Sequence, residues 1–128
     1  MSLRHFLYTV FCVAVLAGCK RQPVVATPSG GYLALRQECV TLLEDYRRTK
    51  KESWGREDAL PPGVASLKPQ FVQVLSTSPA VIDIQTSGGF QHQGLLVVCD
   101  DAAKGYIPVK GRGWITRKVA DCVFEYRE

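Results

Sequence analysis

One histidine and three cysteines carry most of the chemistry open to the body of this 128-residue chain. His92 lies in residues 87–94, SGGFQHQG, two positions after Phe90. An imidazole there could act as a general base, or share a ligand contact with Phe90. A base needs a positioned partner, and a single histidine makes no metal site. The competing reading is a histidine on a surface loop beside a Phe90 that covers a sheet edge. Gly88, Gly89 and Gly94 suit a wide turn or bulge between two strands. A phosphate cradle needs a strand–loop–helix setting and usually a lysine, which this stretch lacks. No Ser/His/Asp set has recognisable spacing. Glu57-Asp58 and Asp100-Asp101 are adjacent pairs, so their side chains point apart. The residues specify no catalytic set, metal site or cofactor.

The other reactive position is Cys19, and its surroundings are more specific. Residues 1–5, MSLRH, carry one Arg and no acid, and residues 6–17 run without a charge. As a helix at ~1.5 Å per residue, twelve residues span about 18 Å against a hydrocarbon core of roughly 30 Å. A basic start, a short apolar run and small residues at its end make a secretory signal. Leu16-Ala17-Gly18-Cys19 resembles a bacterial lipobox, the cleavage site of the lipoprotein signal peptidase. The resemblance covers residues 1–22. It implies cleavage before Cys19, a diacylglycerol thioether on its sulfur, and acylation of the new amine. At ~0.8 kcal/mol per buried CH₂, two or three chains anchor a protein firmly. The alternatives are an ordinary cleaved signal or an uncleaved anchor. In Gram-negative lipoproteins an Asp after the lipidated Cys favours the inner membrane; Lys20 stands there instead, which implies the periplasmic face of the outer membrane.

Export would leave Cys39, Cys99 and Cys122 in an oxidising compartment, where at most one disulfide can form among them. Their spacing resembles neither a zinc site nor a redox pair. Strand alternation sets Leu95, Val97 and Cys99 on one face, and Cys122, Phe124 and Tyr126 on one face. Cys39 belongs to a helical stripe. All three thiols are then expected to point into one interior, with Cys99–Cys122 as the expected bridge and Cys39 as the rival partner for either.

A second cluster, Lys104, Lys110, Arg112, Arg117 and Lys118, is interleaved with Tyr106 and Trp114. Such a mixture can bind nucleic acid, anionic sugars or lipid headgroups. A solvated set of charges guarding a sheet edge is the favoured reading. Export argues against nucleic acid, and the net charge of +4 is too mild for a dedicated binder.

The elements that must position these residues follow from periodicity. An apolar content of 46% with 22% charged residues fits one globular domain. Residues 1–18 read as the signal, and 19–31 as lipidated Cys and a Pro/Gly-containing tether with a mean reach on the order of 20 Å. Residues 32–128 form the domain. Tyr32, Leu35, Cys39, Leu42, Leu43 and Tyr46 make a helical stripe, and Arg47, Arg48, Lys50 and Lys51 suit the carbonyl end of that helix. Residues 52–62 read as a loop and 64–68 as one helical turn before Pro69. Strands are expected at 71–75, 80–86, 95–99, 114–119 and 122–126, with 106–109 an edge strand or extended link. The fold class is α+β: one N-terminal amphipathic helix on a single antiparallel sheet of four to six short strands. That layout is broadly similar to the globular heads of type IV pilins, but no Gly-Phe cleavage site followed by Glu begins the apolar run.

The expectation is therefore a lipid-anchored envelope protein with a non-enzymatic binding or assembly role. The alternative is a small hydrolase or ligand-binding protein acting on envelope polymers.

Overall fold

The computed structural model describes residues 25–128. Cys19 and the residues around it lie outside that range. The elements, in order, are helix α1 (Gly31–Thr49), strand β1 (Ser53–Trp54), helix α2 (Pro62–Ser66), β2 (Phe71–Thr77), β3 (Ala80–Ser87), β4 (Gln93–Val98), a 3₁₀ turn (Asp101–Ala103), β5 (Ile115–Ala120) and β6 (Val123–Arg127). All neighbouring strands pair antiparallel, in the order β1-β2-β3-β4-β6-β5. The α+β class is thus as the sequence patterns imply.

Helix α1 begins at Gly31, after a packed lead-in. Val25 is buried in the core. The Ser29 amide donates to Ser66 Oγ at 2.9 Å, and the Gly31 amide to the Pro28 carbonyl at 3.1 Å. Residues 25–30, expected as part of a tether, are therefore held against the domain. The helix closes through Lys50, whose left-handed φ of 62° lets its amide reach the Tyr46 carbonyl at 2.7 Å. Arg47 and Arg48 in the last turn face the negative end of the dipole, as their position suggests. Glu38 works across elements: its carboxylate accepts from the Gly63 and Val64 amides, both at 3.0 Å, and so caps the first turn of α2. A Cβ on Gly63 would stand 2.7 Å from Glu38 Oε2, which explains the glycine at that approach.

The loop expected over residues 52–62 contains a short strand. Ser53 and Trp54 pair with Gln73 and Val72, and Trp54 is buried. Residues 106–109 form a link with no ladder partners, in agreement with Pro108 among them.

The core lies on both faces of the sheet. On the α1 side, Leu35, Cys39 and Leu42 pack against Val72, Ile82, Ile84, Leu95, Val97 and Val123, with Trp54, Val64 and Leu67 at the β1/α2 end. On the far side, Val81, Leu96, Val98, Cys122, Phe124 and Tyr126 form a second cluster under Leu75, Ala103 and Trp114. This corrects the expectation of one shared interior for the thiols. Cys99 packs with Cys39 on the helix side, and Cys122 belongs to the far side. The Val98 amide donates to the Cys122 carbonyl at 2.8 Å, and Val98 and Cys122 share the far-side cluster while Cys99, the next residue, packs on the helix side. Alternation correctly grouped Leu95 with Val97 and Cys122 with Phe124. The register, Leu95 opposite Glu125 and Val97 opposite Val123, puts those two sets on opposite faces.

Candidate functional site

The far face of the sheet carries a polar and aromatic network built around Asp83. β3 places Asp83 between Ile82 and Ile84, in the pattern of a solvent-facing residue, yet it is fully buried. Three donors converge on its carboxylate. Tyr126 Oη donates to Oδ1 at 2.7 Å, Gln73 Nε2 donates to Oδ2 at 2.9 Å, and Lys110 Nζ also reaches Oδ2. Gln73 stands directly opposite Asp83 in the β2–β3 register, so its bond is built into the ladder. Tyr126 comes from β6 and must pass over β4 to arrive.

Gly94 makes that passage possible. It pairs with Gln85 on one side and Tyr126 on the other. A Cβ there would lie 2.8 Å from the Tyr126 hydroxyl and 2.1 Å from the Ile84 carbonyl. The glycine expected in a turn is thus a strand residue whose missing side chain makes room for a phenol. Burial, together with the Asp83 charge and hydrogen bond, pushes the Tyr126 hydroxyl upward from its ordinary range. The phenol stays protonated and serves as a donor.

Lys110 reaches Asp83 from the segment between the 3₁₀ turn and β5, which it ties to the sheet. Its ammonium lies 5.7 Å from the centre of the Tyr126 ring and 6.0 Å from that of Trp114. Trp114 stacks on Tyr126 at 5.6 Å, and His92 stacks on Trp114 at 5.5 Å with the rings 13° from parallel. His92 Nδ1 lies 2.6 Å from Glu128 Oε2, and the Glu128 amide donates to the His92 carbonyl at 2.9 Å. A cleft of about 240 Å³ opens here, lined by Gln91, His92, Gln93, Ile115, Arg127 and Glu128.

Of the expected site residues, His92 acquires a carboxylate partner that sequence spacing does not reveal, and Phe90 stands fully exposed at the loop tip. The cationic cluster largely resolves into ion pairs. Lys110 binds Asp83, Arg117 binds Glu125 at 2.6 Å, and Lys118 binds Asp121 at 3.2 Å. Arg117 and Lys118 lie on β5, the edge strand, where charges discourage further pairing. Asp83, Tyr126, Gln73 and Glu128 were not singled out by sequence reasoning. A signal existed: β4 reads Leu95-Leu96-Val97-Val98, apolar on both faces, so its neighbour β3 had to be covered on both faces too.

Asp83 is enclosed and fully bonded, so it supplies structure rather than a reactive carboxylate. The bond to Lys110 anchors a segment that holds apolar side chains outward. Pro108 is buried, while Ile107 and Val109 on either side are 66% and 65% exposed. Tyr106 and Ile115 are also exposed.

A second cleft, about 570 Å³, lies between the start of α1 and the β5–β6 turn, lined by Tyr32, Leu33, Arg36, Lys104, Asp121 and Cys122 among others. Arg36 crosses it, donating to the Val98 carbonyl at 3.0 Å and to Asp101 Oδ1 at 2.8 Å. Among the described residues, no group of three His, Cys, Asp or Glu side chains is placed to hold a metal ion, and no helix is long and apolar enough to cross a membrane. Comparison with protein-family models, curated proteins and solved structures returns no match.

Proposed function

We propose that the chain is a bacterial envelope lipoprotein, anchored through lipid on Cys19 at the periplasmic face of the outer membrane, whose domain acts as a binding or assembly partner for another envelope protein. The observation that carries the binding role is the outward display of Tyr106, Ile107, Val109 and Ile115 beside a buried network that fixes the segment's base. Apolar side chains exposed on a pinned segment cost little ordering entropy when they dock, which suits recognition. The anchor rests on the lipobox resemblance. Mass spectrometry of the protein purified from membranes should find Cys19 as the first residue, carrying acyl chains, and Cys19→Ala should leave the signal uncleaved and mislocalise the protein. The double substitution Ile107→Asp, Val109→Asp should abolish recovery of the partner cross-linked by the wild type, with unfolding behaviour unchanged. Undiminished recovery would overturn the binding surface.

One observation favours the second reading, a small hydrolase or ligand-binding protein acting on envelope polymers. His92 is oriented by Glu128 beside a cleft, which is the base-and-orienter arrangement of acid–base catalysis. His92→Ala would then remove activity on, or binding to, isolated envelope polymers. An unchanged result discards that reading.

A further inference from the structure

Cys39 and Cys99 meet across the α1–sheet interface. Cys39 sits on the buried stripe of α1, fully enclosed in the helix-side core. Cys99 follows β4, is only partly buried, and packs against the same core. The Cys99 thiol donates to the Val97 carbonyl at 3.5 Å, and the two thiols are close enough to influence each other's ionisation. Arg36, one helical turn before Cys39, donates to the carbonyl of Val98 and so holds its guanidinium beside Cys99. Both sulfurs are free thiols in the structure, as is that of Cys122 in the other core cluster.

We propose that Cys39 and Cys99 form an oxidisable dithiol, in which Cys99 attacks an incoming disulfide and Cys39 closes an internal bridge that clamps α1 to the sheet. Access assigns the roles: Cys39 is fully enclosed, whereas Cys99 is only partly buried and can meet a reagent. The neighbouring Cys39 and the Arg36 guanidinium favour the Cys99 thiolate, and the neighbouring Cys99 and burial disfavour that of Cys39. In the first step its thiolate attacks one sulfur of a reagent disulfide. The reagent's S–S bond breaks, one reagent thiolate leaves, and it takes up the proton that Cys99 released. In the second step Cys39 gives up its proton and attacks the Cys99 sulfur, expelling the second reagent thiolate, which is protonated in turn. Two protein thiols are oxidised to one disulfide, and one disulfide reagent is reduced to two thiols. Cys122 takes no part, because it packs with Phe124 and Tyr126 in the other core cluster.

The test uses the reduced full-length chain and oxidised glutathione under native conditions, with alkylation at intervals and peptide mapping that separates Cys39, Cys99 and Cys122 from Cys12 and Cys19. The expected course is a transient glutathione adduct on Cys99, followed by a Cys39–Cys99 cross-link and the loss of two hydrogen atoms. Cys39→Ala should trap the adduct on Cys99, formed at least about tenfold faster than any adduct on Cys122. Cys99→Ala should leave Cys39 unmodified while the protein is folded. A Cys99–Cys122 cross-link would overturn the proposal. So would three thiols that stay free while a denatured control is oxidised. The wild-type map decides the pairing even if a variant folds poorly.

Discussion

The two faces of the sheet reach burial by different means. The α1 side is closed by a regular element: an amphipathic helix lays Leu35, Cys39 and Leu42 onto an apolar sheet surface, with contacts that are short-ranged and largely non-directional. Among the described residues, the far side has no α-helix. It is closed by an irregular segment that must be held at defined points, and Lys110 and Trp114 do this through Asp83 and Tyr126. The first face can absorb substitutions of similar shape. The second depends on bonds between particular atoms, and a missing partner leaves a charge or a donor stranded without water.

The largest effect should come from splitting the buried pair. Lys110→Met leaves the Asp83 carboxylate enclosed without its counter-ion and should cost about 3–5 kcal/mol in urea unfolding. Adding Asp83→Asn removes the charge while keeping an acceptor for Tyr126, and should restore more than half of that loss. If the double variant is no better than the single one, the pair is not the anchor of the far face. On the helix side, Leu35→Ala opens a cavity and should cost about 2–4 kcal/mol, with no comparable rescue from a second polar change.

Tyr126→Phe should cost about 1.5–3 kcal/mol, the worth of a hydrogen bond to a charged group, and should change the response to alkali. The phenol is raised in the folded state, so its contribution is present below about pH 10, where the unfolded residue is also protonated. It is lost as pH rises further, because the unfolded chain releases a proton that the folded chain keeps. Stability measured from pH 9 to 11 should therefore fall more steeply in the wild type than in Tyr126→Phe. Glu128→Gln should be the mildest change, within about 1 kcal/mol at neutral pH, since its pair with His92 is partly exposed. A large loss there would mean that the aromatic stack needs its outer end fixed.

Much of the helix-side architecture was legible in the residues. The stripe from Tyr32 to Tyr46 is the buried face of α1, and the expected strands match β2 to β6 within a few positions. β1 escaped because two residues cannot display a period. Trp54 is buried through its pairing with β2, a contact decided far along the chain. The far-face network escaped for a different reason. Asp83 and Gln85 alternate with Ile82 and Ile84 as they would on a half-exposed sheet, and period-2 patterning registers polarity rather than solvent. The error over the thiols has the same root. Alternation sorts residues within a strand, but only pairing relates the faces of two strands, and a shift of one residue reverses the relation.

What the sequence determined alone was local: a lipobox-like ending at Cys19, one amphipathic helix, and strands marked by alternation and turns. Those properties depend on neighbours within a few residues, where spacing and side-chain type suffice. The tertiary structure decided which side each strand shows to its neighbour. In doing so it converted Asp83 from an apparent surface residue into the fixed point of a buried network. It made Gly94 the space through which Tyr126 reaches it, and it set Cys99 against Cys39 instead of Cys122. Register is a long-range property, and burial, partnership and thiol pairing all follow from it.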